Sequence, residues 1–424
     1  MGNGIRNAAD QQAELDRTRL PQEALAAVLD RAPLLPVEHV PLDDAGGRFL
    51  AEELVADEDH PPFAAATMDG FAVVAEDGSP WREIVGEQTA GYVLGTEVTV
   101  GTAVRITTGA PLPPGADAVV PVEATEAVGD HVVIGAHDVS PGQNVRRAGA
   151  DLRRGEVVLR AGTRLGPAEL GLLAGLGIVP APVRRRPRVS LLSTGDELVE
   201  PDRRPEPGQI RDSNRFSLAS ALASAGADVV WSGLAPDERD PLRRLLGDRI
   251  AASDVVVTSG GVSMGELDLI KALLGELATV HFRRVFMKPG KPLNFATAGE
   301  TLIFGLPGNP VSALVSFELF IRPALSVMAG GGANVHPRVP VALGEEVAPS
   351  DRIEYQRAAV RVGADGRLTA TPTGGQASSR LASFVGANAL IELPPRADAY
   401  RPGETVQALL IGAPVGLEAE LRAH

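Results

Sequence analysis

The chain of 424 residues contains no cysteine, and aromatic residues make up only 4% of it. Without cysteine there is no disulfide, no thiolate nucleophile and no zinc site built on thiolates. This composition is typical of a reducing compartment, so we expect a cytoplasmic location. The scarcity of aromatic side chains means that the cores must be built mainly from Val, Leu, Ile and Ala.

Positive charge is also scarce, because 40 Lys and Arg face 54 Asp and Glu, a net charge of −14. An acidic surface argues against nucleic acid as a partner, whereas a small anionic ligand needs positive charge only locally. Three basic stretches offer such local charge, at residues 145–155, 183–189 and 283–292. The sequence therefore favours a small anion over a nucleic acid as the ligand.

Signals for membrane attachment are missing from the sequence as well. The first twenty residues are polar and contain no apolar segment, so we predict no signal peptide. Arg6 stands where a myristoylation signal would carry Ser or Thr. No uninterrupted apolar run is long enough to span a bilayer, and we expect no membrane partner. The phosphate-loop motif G-x-x-x-x-G-K-[ST] and an H-x-x-x-H spacing are both absent, which excludes an ordinary P-loop nucleoside triphosphatase and argues against a zinc cage.

The length and the changes in pattern predict four domains. Residues 20–63 and 146–185 form an elongated helical domain, which is split by a β-rich insertion at residues 64–145. Residues 186–330 alternate strands rich in Val and Ile with helices, which indicates a three-layer α/β domain with a mostly parallel sheet. Short strands in residues 335–424 predict a C-terminal β-sandwich or barrel.

Four polar or glycine-rich loops follow strands of the predicted α/β domain. Ligands bind beyond the carboxyl ends of parallel strands, so we expect these loops to meet at one edge of the sheet. Backbone amides and lysines there suit a phosphate or another oxyanion, and carboxylates suit Mg²⁺. The loops contain the candidates Thr194, Gly195, Glu197, Ser259, Gly260, Gly261, Ser263, Asp268, Lys288, Lys291, Pro307, Gly308 and Asn309.

Each candidate taken singly has a plainer structural interpretation. Gly260 and Gly261 suit an ordinary turn, and Glu197 suits the first turn of a helix. Lys288 and Lys291 suit a solvated surface, and Asn309 would serve as a helix cap. The convergence of four loops on one edge is what favours a binding site.

Three further polar residues lie outside the predicted α/β domain. Asp69 stands in "TMDGFAV", Thr108 in "ITTGAP" and Asp151 in "RRAGADL". Asp-Gly and Thr-Gly pairs are common in turns, so the residues alone favour a turn over a functional role.

The ordered motifs "MDGFAV", "ITTGAPLPPGADAVV", "VRRAGADLRRGEVVL", "LLSTGDELVEP", "VVVTSGGVSMGELDLIK", "MKPGKPLNFA" and "GLPGNPVSALVSFE" closely resemble the MoeA family of molybdopterin molybdenumtransferases. The resemblance extends roughly from residue 20 to residue 410. It implies an L-shaped homodimer of four-domain subunits that inserts molybdate into adenylylated molybdopterin and releases AMP, assisted by Mg²⁺. It also implies a MogA-like adenylyltransferase as partner and a MogA-like fold for the α/β domain.

The resemblance also implies roles for individual residues. The motif positions of the family's catalytic residues are Asp69, Thr108, Asp151, Glu197, Asp268, Lys288 and Lys291, with Glu197 and Asp268 as the acids for the metal. The positions that would hold the pterin and its phosphates are Thr194, Gly195, Ser259, Gly260, Gly261, Ser263, Pro307, Gly308 and Asn309.

One stretch departs from the family pattern, since "FAAATMDG" stands at residues 63–70 where the family usually has "FDNSAMDG". Ala64, Ala65 and Ala66 thus replace a polar turn that is expected to face the cleft or the partner subunit. Three functions therefore stay open: the insertase, a divergent or inactive paralogue that acts as a scaffold, and a molybdopterin adenylyltransferase. The "MDG" and "TTGAP" motifs favour the insertase.

Overall fold

The computed structural model describes residue 15 and residues 17–134, 139–236, 238–260 and 269–416. The chain forms two compact units. The first comprises Met1–Ala51, Arg164–Gly166 and Pro182–His424, and the second comprises Glu52–Thr163 and Pro167–Ala181. The four domain boundaries that the sequence suggests stay a prediction.

The helices of the described ranges are α1 Pro21–Leu29, α2 Leu42–Ala45, α3 Pro167–Gly175, α4 Asn214–Ser224, α5 Arg239–Ala252, α6 Leu269–Leu277, α7 Pro310–Ser316 and α8 Arg322–Met328. A π-helical segment, Phe317–Ile321, joins α7 to α8, and short 3₁₀ turns occupy Val122–Ala124 and Leu381–Phe384.

The strands in the first half of the chain are β1 Val37–Val40, β2 Leu54–Val55, β3 Ala65–Ala66, β4 Gly70–Val73, β5 Trp81–Gln88, β6 Thr102–Ile106, β7 Ala118–Pro121, β8 Thr125–Val128, β9 His131–Ile134, β10 Val145–Arg146, β11 Val157–Leu159, β12 Ala181–Arg184, β13 Arg188–Ser193, β14 Leu198–Val199 and β15 Ile210–Arg211. The remaining strands are β16 Asp228–Leu234, β17 Val255–Ser259, β18 Thr279–Arg284, β19 Met287–Lys288, β20 Pro292–Ala298, β21 Thr301–Leu306, β22 Arg338–Leu343, β23 Ile353–Val362, β24 Leu368–Pro372, β25 Ala389–Leu393, β26 Thr405–Leu410 and β27 Val415–Gly416.

A six-stranded sheet in the order β16-β13-β17-β21-β20-β18 forms the centre of the first unit. The first four strands are parallel, and β20 and β18 add an antiparallel edge. Alternate residues of β17 pack into cores on opposite faces, Val255 and Val257 on one and Val256 on the other. Because both faces are covered, the strand is apolar throughout rather than alternating with polar residues. This arrangement confirms the predicted α/β domain with its parallel-rich sheet.

A closed β-barrel follows the central sheet in the first unit. Its strands run in the order β23-β24-β22-β26-β25, and β25 pairs back onto β23. The interior is lined by small and branched side chains, including Val360, Ala370, Ile391 and Ala408, all buried. The C-terminal strands that the sequence predicts thus close into a barrel, which removes the exposed edges of an open sheet.

The second unit contains a six-stranded sheet in the order β7-β4-β6-β5-β9-β8. Cores on its two faces alternate along β4, with Phe71 and Val73 in one and Ala72 in the other. The sheet occupies the region that the sequence predicts as a β-rich insertion, and short ladders such as β2 with β11 join the flanking segments.

The continuous helical stretch Pro310–Met328 is long and apolar enough, by length and composition, to cross a membrane. However, 78% of the most apolar part of this stretch is buried inside the protein, as expected for a core helix. It also carries Glu318 and Arg322, which form an ion pair with each other. The segment packs as a core helix in this fold.

Two strands of the central sheet, β18 and β20, were not predicted from the sequence. The segment before and within β20 reads "KPGKPLNFATA", and its two prolines and glycine indicate a loop. In the structure the turn ends at Lys291, and Leu293, Phe295 and Ala296 are buried against neighbouring strands. Tertiary packing thus outweighs the local turn signal here.

Replacing Phe304 by Ala is expected to destabilise the central domain strongly. Phe304 is fully buried, and its ring centroid lies 5.1 Å from that of Phe295. Truncation would leave a cavity and cost about 3–5 kcal/mol of unfolding free energy. The measurement is urea unfolding followed by the fluorescence of Trp231, in a chain whose other tryptophan, Trp81, is replaced by Phe.

The matched control for this substitution is Val385→Ala, since Val385 is 80% exposed. It should change the free energy by no more than about 0.5 kcal/mol. Equal effects of the two substitutions would contradict the assignment of Phe304 to the core.

Candidate functional site

A cavity of about 690 Å³ lies at the carboxyl ends of the three central parallel strands β13, β17 and β21. The strands end in register, because Ser193 pairs with Ser259 and Ser259 with Leu306. The loops after them therefore meet at one edge of the sheet. The cavity is lined by Thr194, Gly195, Glu197, Leu198, Ile210, Arg211, Asp212, Ser213, Asn214, Ser259, Gly260, Pro292, Pro307, Gly308, Asn309, Pro310 and Ser379.

Gly260 stands where the loops approach one another most closely. Its φ is +94°, and a methyl group on its Cα would lie 2.2 Å from the carbonyl oxygen of Thr194. A methyl group on Gly308 would lie 3.7 Å from the Gly260 Cα. The amide of Gly260 donates a hydrogen bond to the carbonyl of Leu306. Any side chain at position 260 would push the loops apart, so glycine is required there.

Asn214, the first residue of α4, holds two of these loops together. Its Nδ2 atom donates to Ser259 Oγ at 2.7 Å and to the carbonyl of Gly308 at 2.7 Å. Both bonds are largely shielded from water, since Asn214 is only 8% exposed. The stretch "GQIRDSN" at residues 208–214 ends at Asn214, and the sequence alone indicates no functional role for this asparagine. Only the fold shows that one amide group bridges the end of β17 and the loop after β21.

The carboxylate of Glu197 folds back over Gly195 at the edge of the cavity. A methyl group on Gly195, whose φ is +147°, would lie 2.5 Å from Glu197 Oε2. The second acid of the lining, Asp212, is committed to Arg215, with Oδ2 3.0 Å from Nε. Glu197 is therefore the lining carboxylate that stays available to a ligand or cation.

Two buried polar atoms at the cavity have no hydrogen-bond partner among the described residues, Thr194 Oγ1 and Asn214 Oδ1. Buried polar groups in folded proteins nearly always find a partner, so these two atoms are suited to a ligand or to ordered water. Asn309 precedes α7 but makes no side-chain capping bond in the described structure. Its side chain is thus not occupied by the helix-cap role that we considered.

Neither lysine of "KPGK" lines the cavity. Lys288 pairs with Glu354 of the barrel, Nζ to Oε1 at 3.2 Å, and Glu354 is almost fully buried. Lys291 is half-buried and directly precedes Pro292, which does line the cavity. The structure therefore places Lys291 next to the cavity along the chain, whereas Lys288 is engaged in a contact that the sequence did not indicate.

Arg357 on β23 is a cationic residue that the sequence analysis missed. It is fully buried, and its Nη1 and Nη2 atoms have no partner within the described ranges. Burial lowers the pKa of the Arg357 guanidinium to about 10, partly offset by Glu354. Its Nε donates to Ser383 Oγ at 3.0 Å. Within "IEYQRAAVRV" the residue looked like an ordinary strand position, and only its burial reveals the unusual environment.

Asp69 and Thr108 meet in the second unit. The amide and the hydroxyl of Thr108 both donate to Asp69 Oδ1, at 2.7 and 2.8 Å. These bonds lower the pKa of the Asp69 carboxyl, the backbone bond most and the hydroxyl bond next. Asp69 also ends the turn before β4, so the pair is consistent with the turn interpretation as well as with a functional role.

Asp151, also in the second unit, forms an ion pair with Arg146. The hydrogen bond from Arg146 is the main cause of the lowered pKa of the Asp151 carboxyl. The backbone amide of Asp151 donates a hydrogen bond to the carbonyl of His60 at 3.0 Å. The functional roles assigned to Asp69, Thr108 and Asp151 stay predictions.

The alanines that depart from the family pattern lie in and next to a short strand. Ala65 and Ala66 form β3, which pairs antiparallel with β10, and both are buried. The carbonyl of Ala64 accepts a bond from Leu112. Small apolar side chains fit this buried ladder.

Three residues named in the sequence analysis, Gly261, Ser263 and Asp268, lie outside the described residues. Eight other candidates line the cavity together: Thr194, Gly195, Glu197, Ser259, Gly260, Pro307, Gly308 and Asn309.

Family models match three successive parts of the chain. Residues 20–177 match the MoeA N-terminal region (domains I and II), residues 190–327 a probable molybdopterin binding domain, and residues 341–411 the MoeA C-terminal region (domain IV). The molybdopterin molybdenumtransferase of Bacillus subtilis is 36% identical over 95% of this chain and 96% of its own length. The chain belongs to the MoeA family.

Other relatives agree with this membership. Molybdopterin molybdenumtransferase 2 of Mycobacterium tuberculosis is 39% identical over 84% of this chain and 90% of its own length. Gephyrin of Dictyostelium discoideum is 35% identical over 97% of this chain, which spans 64% of the length of gephyrin. A solved MoeA protein of Pyrococcus horikoshii superimposes with a TM-score of 0.82 at 31% identity, covering 94% of this chain and all of that one.

Asn214→Ala is expected to loosen the cavity wall. The substitution leaves Ser259 Oγ and the Gly308 carbonyl without this partner, which costs about 1–3 kcal/mol per unpaired buried group. We expect faster amide hydrogen exchange in the peptides that contain Ser259 and Gly308. The matched control is Ser217→Ala, which removes a hydroxyl bond to the Asn214 carbonyl on the same helix. Similar exchange in both variants would argue against the bridging role.

Thr108→Val is expected to raise the pKa of Asp69. The substitution removes the hydroxyl bond and leaves the backbone bond, so the pKa should rise but stay below its usual value. Because the wild-type pKa is lowered by folding, the interaction stabilises the unit above the unfolded pKa and fades as pH falls through the folded one. Carboxyl NMR titration measures the shift, with Thr107→Val as control; an unchanged pKa in Thr108→Val would refute the contact.

Proposed function

We propose that this chain is a molybdopterin molybdenumtransferase, an enzyme of molybdenum cofactor biosynthesis. It would insert molybdate into adenylylated molybdopterin and release AMP. The observation that carries the proposal is the full-length similarity to proteins of this name, together with a cavity formed by the loops of the domain that matches a molybdopterin-binding model.

The geometry of the cavity supports an anionic, phosphate-bearing substrate. The glycines at positions 195, 260 and 308 let three loops pack closely together, and the backbone of these loops lines the cavity. Thr194 Oγ1 and Asn214 Oδ1 lack partners among the described residues and are suited to orient polar groups of the pterin. The volume of about 690 Å³ falls within the range of small-molecule sites.

In this proposal the side chains of the protein bind and orient the pterin nucleotide and molybdate, and AMP is the leaving group. A water oxygen would attack the phosphate link between the pterin and AMP, so that AMP departs with its phosphate and the pterin keeps its own. The two dithiolene sulfurs would bind molybdenum in place of oxygen ligands of molybdate, which leave as water. Lys291, next to the cavity along the chain, would attract the two anions by charge. The loops after β13, β17 and β21 would fix the pterin nucleotide so that molybdate meets the dithiolene in one orientation.

Mg²⁺ fits this cavity only if protein carboxylates and phosphate oxygens of the substrate hold the ion together. The described residues contain no group of three or more His, Asp or Glu that could hold a metal. Glu197 supplies one available carboxylate, and Mg²⁺ usually takes one or two carboxylates and completes its shell with phosphate oxygens and water. When bound, the ion would neutralise charge on the phosphates of the substrate. Glu197 would hold it, and Asp268 is the second acid that we propose.

We also infer a homodimer, a cytoplasmic location and a MogA-like adenylyltransferase that supplies the substrate. The homodimer is supported by family membership, and the adenylyltransferase by the need for an already adenylylated pterin. Asp69, Thr108 and Asp151 are proposed as further catalytic residues.

The test is molybdate-dependent release of AMP from adenylylated molybdopterin, measured without ATP. The wild-type chain should release AMP faster with molybdate and Mg²⁺ than with either alone. Glu197→Gln should lower the rate at least about 10–100-fold. Loss of an outer-shell partner of a bound metal already costs that much, and Glu197 would bind the ion directly. The matched control is Glu206→Gln, because Glu206 is exposed and does not line the cavity.

The same assay separates the three functions. Consumption of ATP with molybdopterin would identify an adenylyltransferase, and no turnover of either substrate would identify a scaffold. Equal rates for Glu197→Gln and Glu206→Gln would contradict the role of Glu197 while leaving the insertase function standing.

A further inference from the structure

A second cavity of about 480 Å³ lies in the first unit and shares no lining residue with the cavity described above, over the ranges that the structure describes. No Asp or Glu is among its described lining residues. The charged groups that line it are Arg48, Arg164, Arg184, Arg186, Arg322 and His336. Five guanidinium groups around one cavity contrast with the net charge of −14 of the whole chain.

Two of these arginines form ion pairs with acids that do not themselves line the cavity. Arg322 makes two bonds to Glu318, with Nη2 3.0 Å from Oε1, and His336 Nε2 lies 2.6 Å from Glu318 Oε2. Burial raises the pKa of Glu318, but the bonds from His336 and Arg322 outweigh it and the pKa is lowered. Arg48 forms an ion pair with Glu38.

The other three arginines have no acidic partner in the described structure. Arg164 Nε donates to the carbonyl of Gly47 at 3.3 Å, and Arg184 Nη1 donates to the carbonyl of Leu35 at 3.0 Å. Arg186 lines the cavity, and its side chain forms no ion pair with any described residue. The cavity therefore keeps about three uncompensated positive charges.

Two of the arginines, Arg48 and Arg322, are held in place by several contacts. The side chain of Arg48 is 8% exposed, and its Nη2 donates to the carbonyl of Arg184 at 2.7 Å. Its Nε is buried and has no partner among the described residues. Arg322 also donates to Ser224 Oγ at 3.2 Å and stacks on Phe317.

Several guanidinium groups around one cavity repel one another, and the two acids Glu318 and Glu38 offset only part of this repulsion. A bound anion would remove that cost, and planar guanidinium forks match the oxygens of phosphate groups. Glycine backbone on the lining, at positions 46, 47, 226 and 332, leaves the space open to a ligand. A single small oxyanion would engage only part of this charge.

We propose that this cavity binds a small polyanion that carries two or more phosphate groups, at a site separate from the candidate active site. The inference rests on the arginines and stands whether or not the chain is an insertase. A ligand bound there would contact the segment before β2, the linker after β12 and the end of α8. Because this cavity shares no described lining residue with the candidate active site, the ligand would act as an effector or as a structural ligand.

The test is isothermal titration of the full-length chain with inorganic tripolyphosphate. We expect saturable binding to the wild type that weakens about tenfold or more in Arg164→Gln/Arg186→Gln, because two charge-assisted contacts are lost. Arg164 is exposed and Arg186 half-buried, so the variant should fold, and its unfolding midpoint without ligand checks this. Arg186→Gln alone gives the same comparison if the double variant does not fold.

Two matched controls locate the binding. Arg367→Gln removes a highly exposed arginine on the barrel and should leave the affinity unchanged. Arg401→Gln removes an exposed arginine that lines neither cavity and should also leave the affinity unchanged. The proposal is overturned by an absence of saturable binding, by full affinity in the Arg164/Arg186 variant, or by an equal loss in Arg367→Gln.

Failure of this proposal can be told from failure of the insertase function. The titration uses neither molybdate nor pterin, and the AMP-release assay does not depend on tripolyphosphate. Wild-type turnover without tripolyphosphate binding would overturn only the second site, and binding without turnover would overturn only the insertase.

Discussion

The candidate site depends on the close contact between the backbone of Gly260 and the carbonyl of Thr194. A methyl group at position 260 would lie 2.2 Å from that oxygen, so the loops after β13 and β17 meet only because no side chain separates them. Asn214 then bonds the end of β17 to the loop after β21. The cavity is thus a product of backbone proximity, and its polar side chains are positioned by that contact.

Much of this arrangement follows from the sequence because parallel strands bring their carboxyl ends to one edge. Buried runs such as "DVVVTSG" identify the strands, and the polar residues after them identify the loops. That is why Thr194, Glu197, Ser259 and Asn309 were found without coordinates. The antiparallel strand β20 was missed because a lysine and proline turn precedes it, and burial of Leu293 and Phe295 decides its structure instead.

Residues whose importance arises from tertiary contacts could not be predicted. Asn214 looks like a helix start, and Arg357 looks like one charge among many in a strand. Their significance appears only when one amide is seen to bridge two loops and one guanidinium is seen fully buried with unpartnered nitrogens within the described part of the chain. Lys288 shows the opposite case, since its motif suggested an anion contact and the fold pairs it with Glu354.

The departure at Ala64–Ala66 bears on how the family function is maintained. Ala65 and Ala66, which stand where the family pattern has polar residues, are buried in a ladder with β10. Burying polar side chains there would require compensating hydrogen bonds, which alanines do not need. Asp69, a few residues on, keeps both bonds from Thr108. The substitution is therefore compatible with an intact "MDG" turn.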